Sequence, residues 1–405
     1  MKTAKFISAK ISSKGLGGKI SSPFLRIAAA AVSIGLAIMI IAISTGLGLQ
    51  DAIKNKVAHF SGHVVLKAYA NNDSYQSLPI EGDLEILEQK APFPFQAHAF
   101  ASRAAILKST EEFDGILFKG LADGYPLEFI QEYLQTGSSP AYADSLAGKI
   151  LMSSLLAKKL QVEIGEKVAL YFLERGSRSR VRTFILAGTF KTGIEFYDES
   201  LVLGNLGVLA QLGKWDEEEV GGIEIRLESY EDLEEAKQYF HENSPMQIQA
   251  KGIDELYPQL FQWIGLFDLN IMVVLIIMVL VAGINMITAL LIMMIERSPM
   301  IGLLKALGAE NVLVRKVFLR NGMRLLLRGL LWGNAIGLLL LFLQDQFGWM
   351  KLDESTYYVS AVPVVFPWHW FLLLNLSTAV LTLLMLWLPS RFVSNLQPVK
   401  AIRFE

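Results

Sequence analysis

SPMIGLLKALG, residues 298–308, reads as a short helix with its own start and stop signals, set between two apolar runs too long for any soluble core. Ser298 can cap the free amides, Pro299 suits the first helical position where no amide is needed, and Gly308 can take the left-handed conformation that ends a helix. Met300, Leu303, Leu304 and Leu307 recur at three- and four-residue steps and so share a face. A helix this short does not cross a bilayer, and lipid does not claim that face; another protein can.

The runs around it set the fold. Crossing a hydrocarbon layer of ~30 Å takes about 20 apolar helical residues, and residues 27–47, 269–295, 325–347 and 370–388 all qualify. Four spans bring both ends of the chain to one side. At 1.5 Å per residue the run 269–295 is ~40 Å long, so it tilts or projects beyond the bilayer.

Orientation follows from the positive charges, which are retained on the cytoplasmic side. The segments 1–26, 296–328 and 391–405 hold 16 basic and 3 acidic residues, a net +13, and the remainder holds 21 basic and 36 acidic, a net −15. Most of that excess acid lies in residues 50–262, so a near-neutral whole hides a basic inside and an acidic outside. Ala42 and Ser44 also fit the small-residue pattern before a signal-peptide cleavage site, but the apolar region is longer than such peptides use, and it reads as a retained span. The chain has no cysteine, which rules out disulfides, thiolate metal sites and a cysteine nucleophile. An outer segment of about 210 residues buries a core without such staples.

That outer segment reads as α+β. Residues 63–69, 97–108, 222–227 and 246–251 look like strands, and 84–90 and 230–241 like helices, giving two strand-helix-strand units. Such halves close into a split βαβ layer, with residues 116–121, 167–173, 180–190 and 200–203 forming a β-rich subdomain inserted between them.

Within the spans, Gly329, Gly333 and Gly337 are spaced for close helix approach, and Asn285, Asn334 and Asn375 place an amide in each of spans two to four as interhelical glue. Lys316, Arg320, Arg324 and Arg328 recur every four residues and read as a snorkelling stripe at the headgroups. His59 and His63 lie four apart, but Gly62 and the strand pattern after it argue against a metal pair, and no metal or other cofactor is expected. GLGGKIS, residues 15–21, fails the phosphate-loop pattern because Ser13 stands where a glycine is needed and Ile20 where a hydroxyl is. With no G-x-S-x-G elbow or H-E-x-x-H helix, the chain reads as a non-enzyme whose energy comes from a partner.

The string ERSPMIGLLKALGAENVLVRKVFLRNG, residues 296–322, resembles the coupling segment of FtsX/MacB-type permeases, and LQPVKAIRFE resembles the tail of that superfamily. ILMSSLLAKKLQVEIGEKVAL at 150–170 and AGTFKTGIEFYDESLVL at 187–203 are similar to its LolC/LolE branch. The resemblance implies four transmembrane helices, a MacB-like periplasmic domain and an inner-membrane location with both termini cytoplasmic. It divides the chain into 1–49, 50–262, 263–295, 296–324 and 325–405: the first span, the outer domain, the second span, the coupling loop and the FtsX-like region. It also implies a LolD-like ATPase partner, a second permease subunit, a lipoprotein substrate, a LolA-like periplasmic carrier and no nucleic acid. Coupling to the ATPase falls to Met300, Ile301, Leu303, Leu304, Leu307 and Gly308, with Glu296, Arg297 and Lys305 orienting the helix. For a lipoprotein cavity the greasy, flexible positions are Met39, Ile40, Ile43, Leu266, Phe267, Ile271 and Met272. Arg175, Arg178, Arg180 and Arg182 can meet an acidic patch on a carrier.

One departure bears on that last contact. LolC proteins have a longer carrier-hooking loop where this chain has only ERGSRSRVR, residues 174–182, so it is either LolE-like with a hook-bearing partner or half of a homodimer. A MacB-like exporter and an FtsX-like regulator of a cell-wall hydrolase stand as the alternatives to lipoprotein release.

Overall fold

The computed structural model describes residues 21–71, 76–81, 91–109, 112–139, 143–172, 179–296 and 298–394. The chain divides into two units, one of residues 1–50, 264–351 and 361–405, the other of Asp51–Trp263 and Leu352–Ser360. The expected helix at 84–90 lies outside the described residues, as do the basic residues 1–20 and the tail 395–405. Residues 352–360 were expected with the region 325–405 but belong to the outer unit, where Lys191 Nζ pairs with Glu354 at 2.5 Å.

The outer unit holds strands β1 (Val64–Ala68), β2 (Ile80–Glu81), β3 (Phe95–Lys108), β4 (Phe113–Leu121), β5 (Leu134–Gly137), β6 (Lys149–Ser153), β7 (Lys167–Phe172), β8 (Arg180–Phe190), β9 (Leu201–Asn205), β10 (Glu219–Val220), β11 (Gly222–Leu227) and β12 (Ile248–Gly252). The helices used below are α1 (Ser21–Ser61), α2 (Ser154–Lys159), α3 (Glu195–Ser200), α4 (Leu233–Asn243), α5 (Pro258–Glu296), α6 (Ser298–Ala306), α7 (Asn311–Phe347) and α8 (Trp368–Ser394).

The order β12–β1–β11–β3, antiparallel throughout, is the split βαβ layer: β1 of the first half inserts between β12 and β11 of the second. Leu233, Ala236 and Phe240 of α4 fall three and four residues apart, so one helical stripe covers Val64, Leu66, Ile223 and Ile225. The inserted strands do not stand apart from this layer. β3 is 14 residues long, and after Phe95–Phe100 have paired with β11, Ala105–Lys108 on the same edge pair with β7. Since β7 also pairs with β8, the path β3–β4–β9–β6–β8–β7 returns to its start as a closed barrel.

Closure removes strand edges and supplies an inside. Val168, Leu170 and Phe172 alternate inward from β7, Phe184 and Leu186 from β8, and Leu156 and Ala157 of α2 join them. Phe118 stands edge-on to Phe172 with centroids 5.5 Å apart. Opposite it only a glycine fits, because a Cβ on Gly204 comes within 2.4 Å of the Phe118 ring.

The other unit is a helical bundle. Among the described residues, four helices are long and apolar enough to cross a membrane. At 39 and 37 residues, α5 and α7 run to ~55–60 Å against a ~30 Å hydrocarbon layer. The glycine stripe of α7 is where α1 comes close: a Cβ on Gly329 lies 2.6 Å from Val32, and one on Gly333 lies 2.8 Å from Leu36. Asn334 and Asn375 exchange hydrogen bonds at 2.7 and 3.0 Å, joining α7 to α8. In hydrocarbon such a reciprocal pair leaves fewer amide groups unsatisfied.

Candidate functional site

Helix α6 runs from Ser298 to Ala306, and Gly308 follows with φ +87°. The Leu307 amide donates to the Leu303 carbonyl at 3.0 Å and the Gly308 amide to Lys305 at 3.0 Å, which closes the last turn. Its two sides differ. Ile301 is 1% exposed and packs in the cluster of Val32, Ala282, Met286, Met293, Met294, Leu325 and Leu326. Leu303 and Leu307, four apart, are 61% and 78% exposed. Ile301 therefore anchors the helix to the bundle, away from the exposed side that carries Leu303 and Leu307. Glu296 and Lys305 are half-buried, Gly308 is exposed, Met300 and Leu304 lie on α6 with side chains outside the description, and Arg297 lies outside the described residues.

A second cluster sits in the outer unit, at the ends of the two helices that continue from spans one and two. Helix α1 runs unbroken to Ser61, and Gly62, with φ +71°, ends it by donating to the Ala58 carbonyl at 2.8 Å. Ser61 Oγ bonds the hydroxyls of Tyr197, on α3, and Tyr257, which immediately precedes α5; the Ser61–Tyr257 distance is 2.8 Å. Tyr197 donates to Tyr257 at 2.8 Å. Burial pushes both phenols above the ordinary tyrosine range. Three hydroxyls thus tie the end of α1, the residue before α5 and helix α3 together.

Charged groups reinforce the tie. Lys56 Nζ donates to the carbonyls of Thr192 at 2.6 Å and Tyr358 at 2.5 Å. The loop that offers Thr192 is shaped by Asp198, whose carboxylate accepts from the Thr192 and Gly193 amides at 2.7 and 2.8 Å. Lys119 of β4 donates to the Phe60 carbonyl at 2.5 Å and to Glu224 Oε1 at 2.5 Å; Tyr125 donates to Glu224 Oε2 at 2.5 Å. Arg226 Nη2 reaches the His59 carbonyl at 2.9 Å and Tyr125 Oη at 3.1 Å. Burial lowers the Lys119 ammonium from its ordinary pKa despite the Glu224 carboxylate, and raises Tyr125.

Four of the seven expected cavity residues share one cluster and three do not. Met39, Ile40 and Ile43 are buried against Leu341, Phe371 and Leu374, with half-buried Ile271 beside them. Leu266 and Met272 are exposed, and Phe267 is half-buried. Helix α1 turns Met39, Ile40 and Ile43 toward its own chain's spans because α7 and α8 supply a matching apolar surface, a pairing invisible to hydropathy. Asp268, at the outer edge of span two, accepts from Gln50 Nε2 at 2.7 Å. Arg180 and Arg182 lie at the start of β8, opposite Phe172 and Leu170; Arg175 and Arg178 lie outside the described residues. Sequence reasoning passed over Lys56, Lys119, Glu224 and Arg226. For Lys119, Glu224 and Arg226 the signal was a charge inside an otherwise apolar strand, as in GIEIRL.

Residues 27–242 match the MacB-like periplasmic core domain and residues 272–398 the FtsX-like permease C-terminal region. The chain is 22% identical over 393 residues to the lipoprotein-releasing system transmembrane protein LolC of Neisseria meningitidis serogroup B (strain ATCC BAA-335 / MC58), covering 93% of each. It is 18% identical to the LolE protein of Haemophilus influenzae (strain ATCC 51907 / DSM 11121 / KW20 / Rd), covering 95% of this chain and 96% of that one. The periplasmic region of MacB from Actinobacillus actinomycetemcomitans aligns with 50% of this chain and 95% of that chain, with a TM-score of 0.34 and 11% identity.

Proposed function

Since the chain belongs to the family of membrane permeases that carry a MacB-like periplasmic core domain, here with an FtsX-like C-terminal region, we propose that it is the transmembrane subunit of an ABC transporter that releases lipoproteins from the inner membrane. A separate LolD-like ATPase docks on α6, with Leu303 and Leu307 entering a groove on it as a helix-in-groove contact. Ile301 ties α6 to the bundle, so a push on the exposed face is delivered to the spans. Helices α1 and α5 carry the displacement outward to the cluster at Ser61, Tyr197 and Tyr257. The lipid-anchored substrate leaves between this chain and a second permease subunit, and a LolA-like periplasmic carrier receives it. The basic segments 1–26, 296–328 and 391–405 stay in the cytoplasm, and the outer unit is periplasmic.

The observation that carries this reading is the end-to-end match to a lipoprotein-releasing protein, 93% of both chains. A protein sharing only a permease core or only an outer domain would not align in that way. The test is depletion in the native bacterium followed by membrane fractionation. Lipoproteins destined for the outer membrane then accumulate in the inner one; normal sorting with a defect in efflux or in cell-wall hydrolysis instead refutes lipoprotein release.

A further inference from the structure

The last four carbonyls of a helix have no partner inside it, and together they form the negative end of its dipole. At the outer end of α1, three consecutive carbonyls find partners in three places. Ala58 takes the Gly62 amide, His59 takes Arg226 from β11, and Phe60 takes Lys119 from β4. Strand β3 separates β4 from β11 in the sheet. Glu224, 2% exposed, accepts from Lys119 through one oxygen and from Tyr125 through the other, and Tyr125 Oη accepts from Arg226. The groups form a closed circuit: helix end, Lys119, Glu224, Tyr125, Arg226, helix end. We propose that Lys119 and Arg226, oriented by Glu224, are positioning residues that grip the carbonyl end of α1 and make it the point at which span one pulls on the outer sheet.

Stability alone does not call for this arrangement, because replacing a buried ion pair by apolar side chains of similar size is often neutral or better. What charge adds is direction. Apolar contacts are non-directional and let surfaces slide past one another, whereas charge-assisted hydrogen bonds are short and fix geometry. A displacement of α1 along its axis is therefore passed to β4 and β11 instead of being lost at a slipping interface. The circuit borders a cavity of about 860 Å³ whose walls include Phe100, Leu117 and Tyr257, which leaves room for the sheet and the helix end to shift together.

The inference rests on the ATP-driven reading above, and its test separates the two. In nanodiscs, the intact permease assembled with its ATPase is followed by hydrogen exchange with and without ATP and vanadate. In the wild type, nucleotide changes exchange both in residues 51–61 and in β4 and β11. In Lys119→Met/Glu224→Met the response of 51–61 persists while that of β4 and β11 falls at least about fivefold, with Tm preserved. Where the double variant does not fold, Glu224→Gln, which keeps the shape and drops the charge, reports a partial loss in β4 and β11 at wild-type Tm. A wild-type response of β4 and β11 in the folded variant overturns the proposal, as does a fall in both segments that merely tracks a lower Tm. A wild type with no nucleotide response in the outer unit overturns it too. A wild-type response unaccompanied by lipoprotein release counts against the proposed function alone.

Discussion

His63 lies one residue past left-handed Gly62 and is closed in, its Nδ1 accepting the Leu227 amide at 3.1 Å and its ring 6.4 Å from Tyr230. Burial, then the like charges of Arg226 and His59, lower its pKa from 6.5 to about 4. Between those values the unfolded chain binds a proton that the folded chain refuses, so stability rises with pH across the window and is lost as pH falls through it. The effect is about 1–3 kcal/mol once partial hydration of the ring is allowed for, and His63→Gln flattens that part of a plot of Tm against pH. An unchanged slope would place the titration elsewhere. Ile301→Ala removes a buried anchor and costs about 2–4 kcal/mol, read as a lower Tm of the purified protein. The chemistry of single residues was only partly legible. Leu303 and Leu307 could be read as an exposed pair, but residues 300–307 are apolar nearly all round, so nothing in the string set Ile301 apart as the side chain facing inward. Lys119 and Glu224 were missed because a period-two pattern assigns any charge in a strand to water, unless its partner on another strand is known.

Helix α1 shows what hydropathy leaves out at the scale of an element. The apolar run ends near Leu47, yet the hydrogen-bonded helix continues through Gln50, Asp51, Lys54 and Lys56 to Ser61, since backbone bonding takes no notice of side-chain polarity. The legible stop was Gly62. The glycine spacing on α7 was fully readable and names its own test, for a Cβ on Gly333 already meets Leu36 Cβ and the Ser33 carbonyl at 2.8 Å. Gly333→Leu forces α1 and α7 apart and lowers stability by about 1–3 kcal/mol, seen as a fall in Tm, whereas substitution of exposed Leu331 leaves it within ~0.5 kcal/mol. On α6 the opposite dissociation is expected. Leu303→Asp with Leu307→Asp leaves Tm unchanged, because both side chains are exposed, and weakens ATPase association at least about tenfold in titration or co-purification. Association at wild-type strength would move the docking face elsewhere.

Across the whole molecule, the order of elements was readable and the joining of the outer strands was not. Two strand-helix-strand halves around an insertion follow from local pattern, but β3 serving both the split layer and the barrel depends on strand length and long-range register, which periodicity does not encode. The loop 352–360 was likewise assigned by its neighbours in sequence, while Lys56 and Lys191 hold it in the outer unit. A chain in which one helix runs from an apolar span to a gripped end among outer strands is suited to carrying movement, and in the proposed function that movement releases lipid-anchored cargo. The direct test reconstitutes the permease, its ATPase and a labelled triacylated lipoprotein in proteoliposomes and counts lipoprotein released to a soluble carrier per ATP hydrolysed. The account predicts release that requires ATP and drops about tenfold in Leu303→Asp/Leu307→Asp; steady hydrolysis with no release, or release that proceeds equally without ATP, would contradict it.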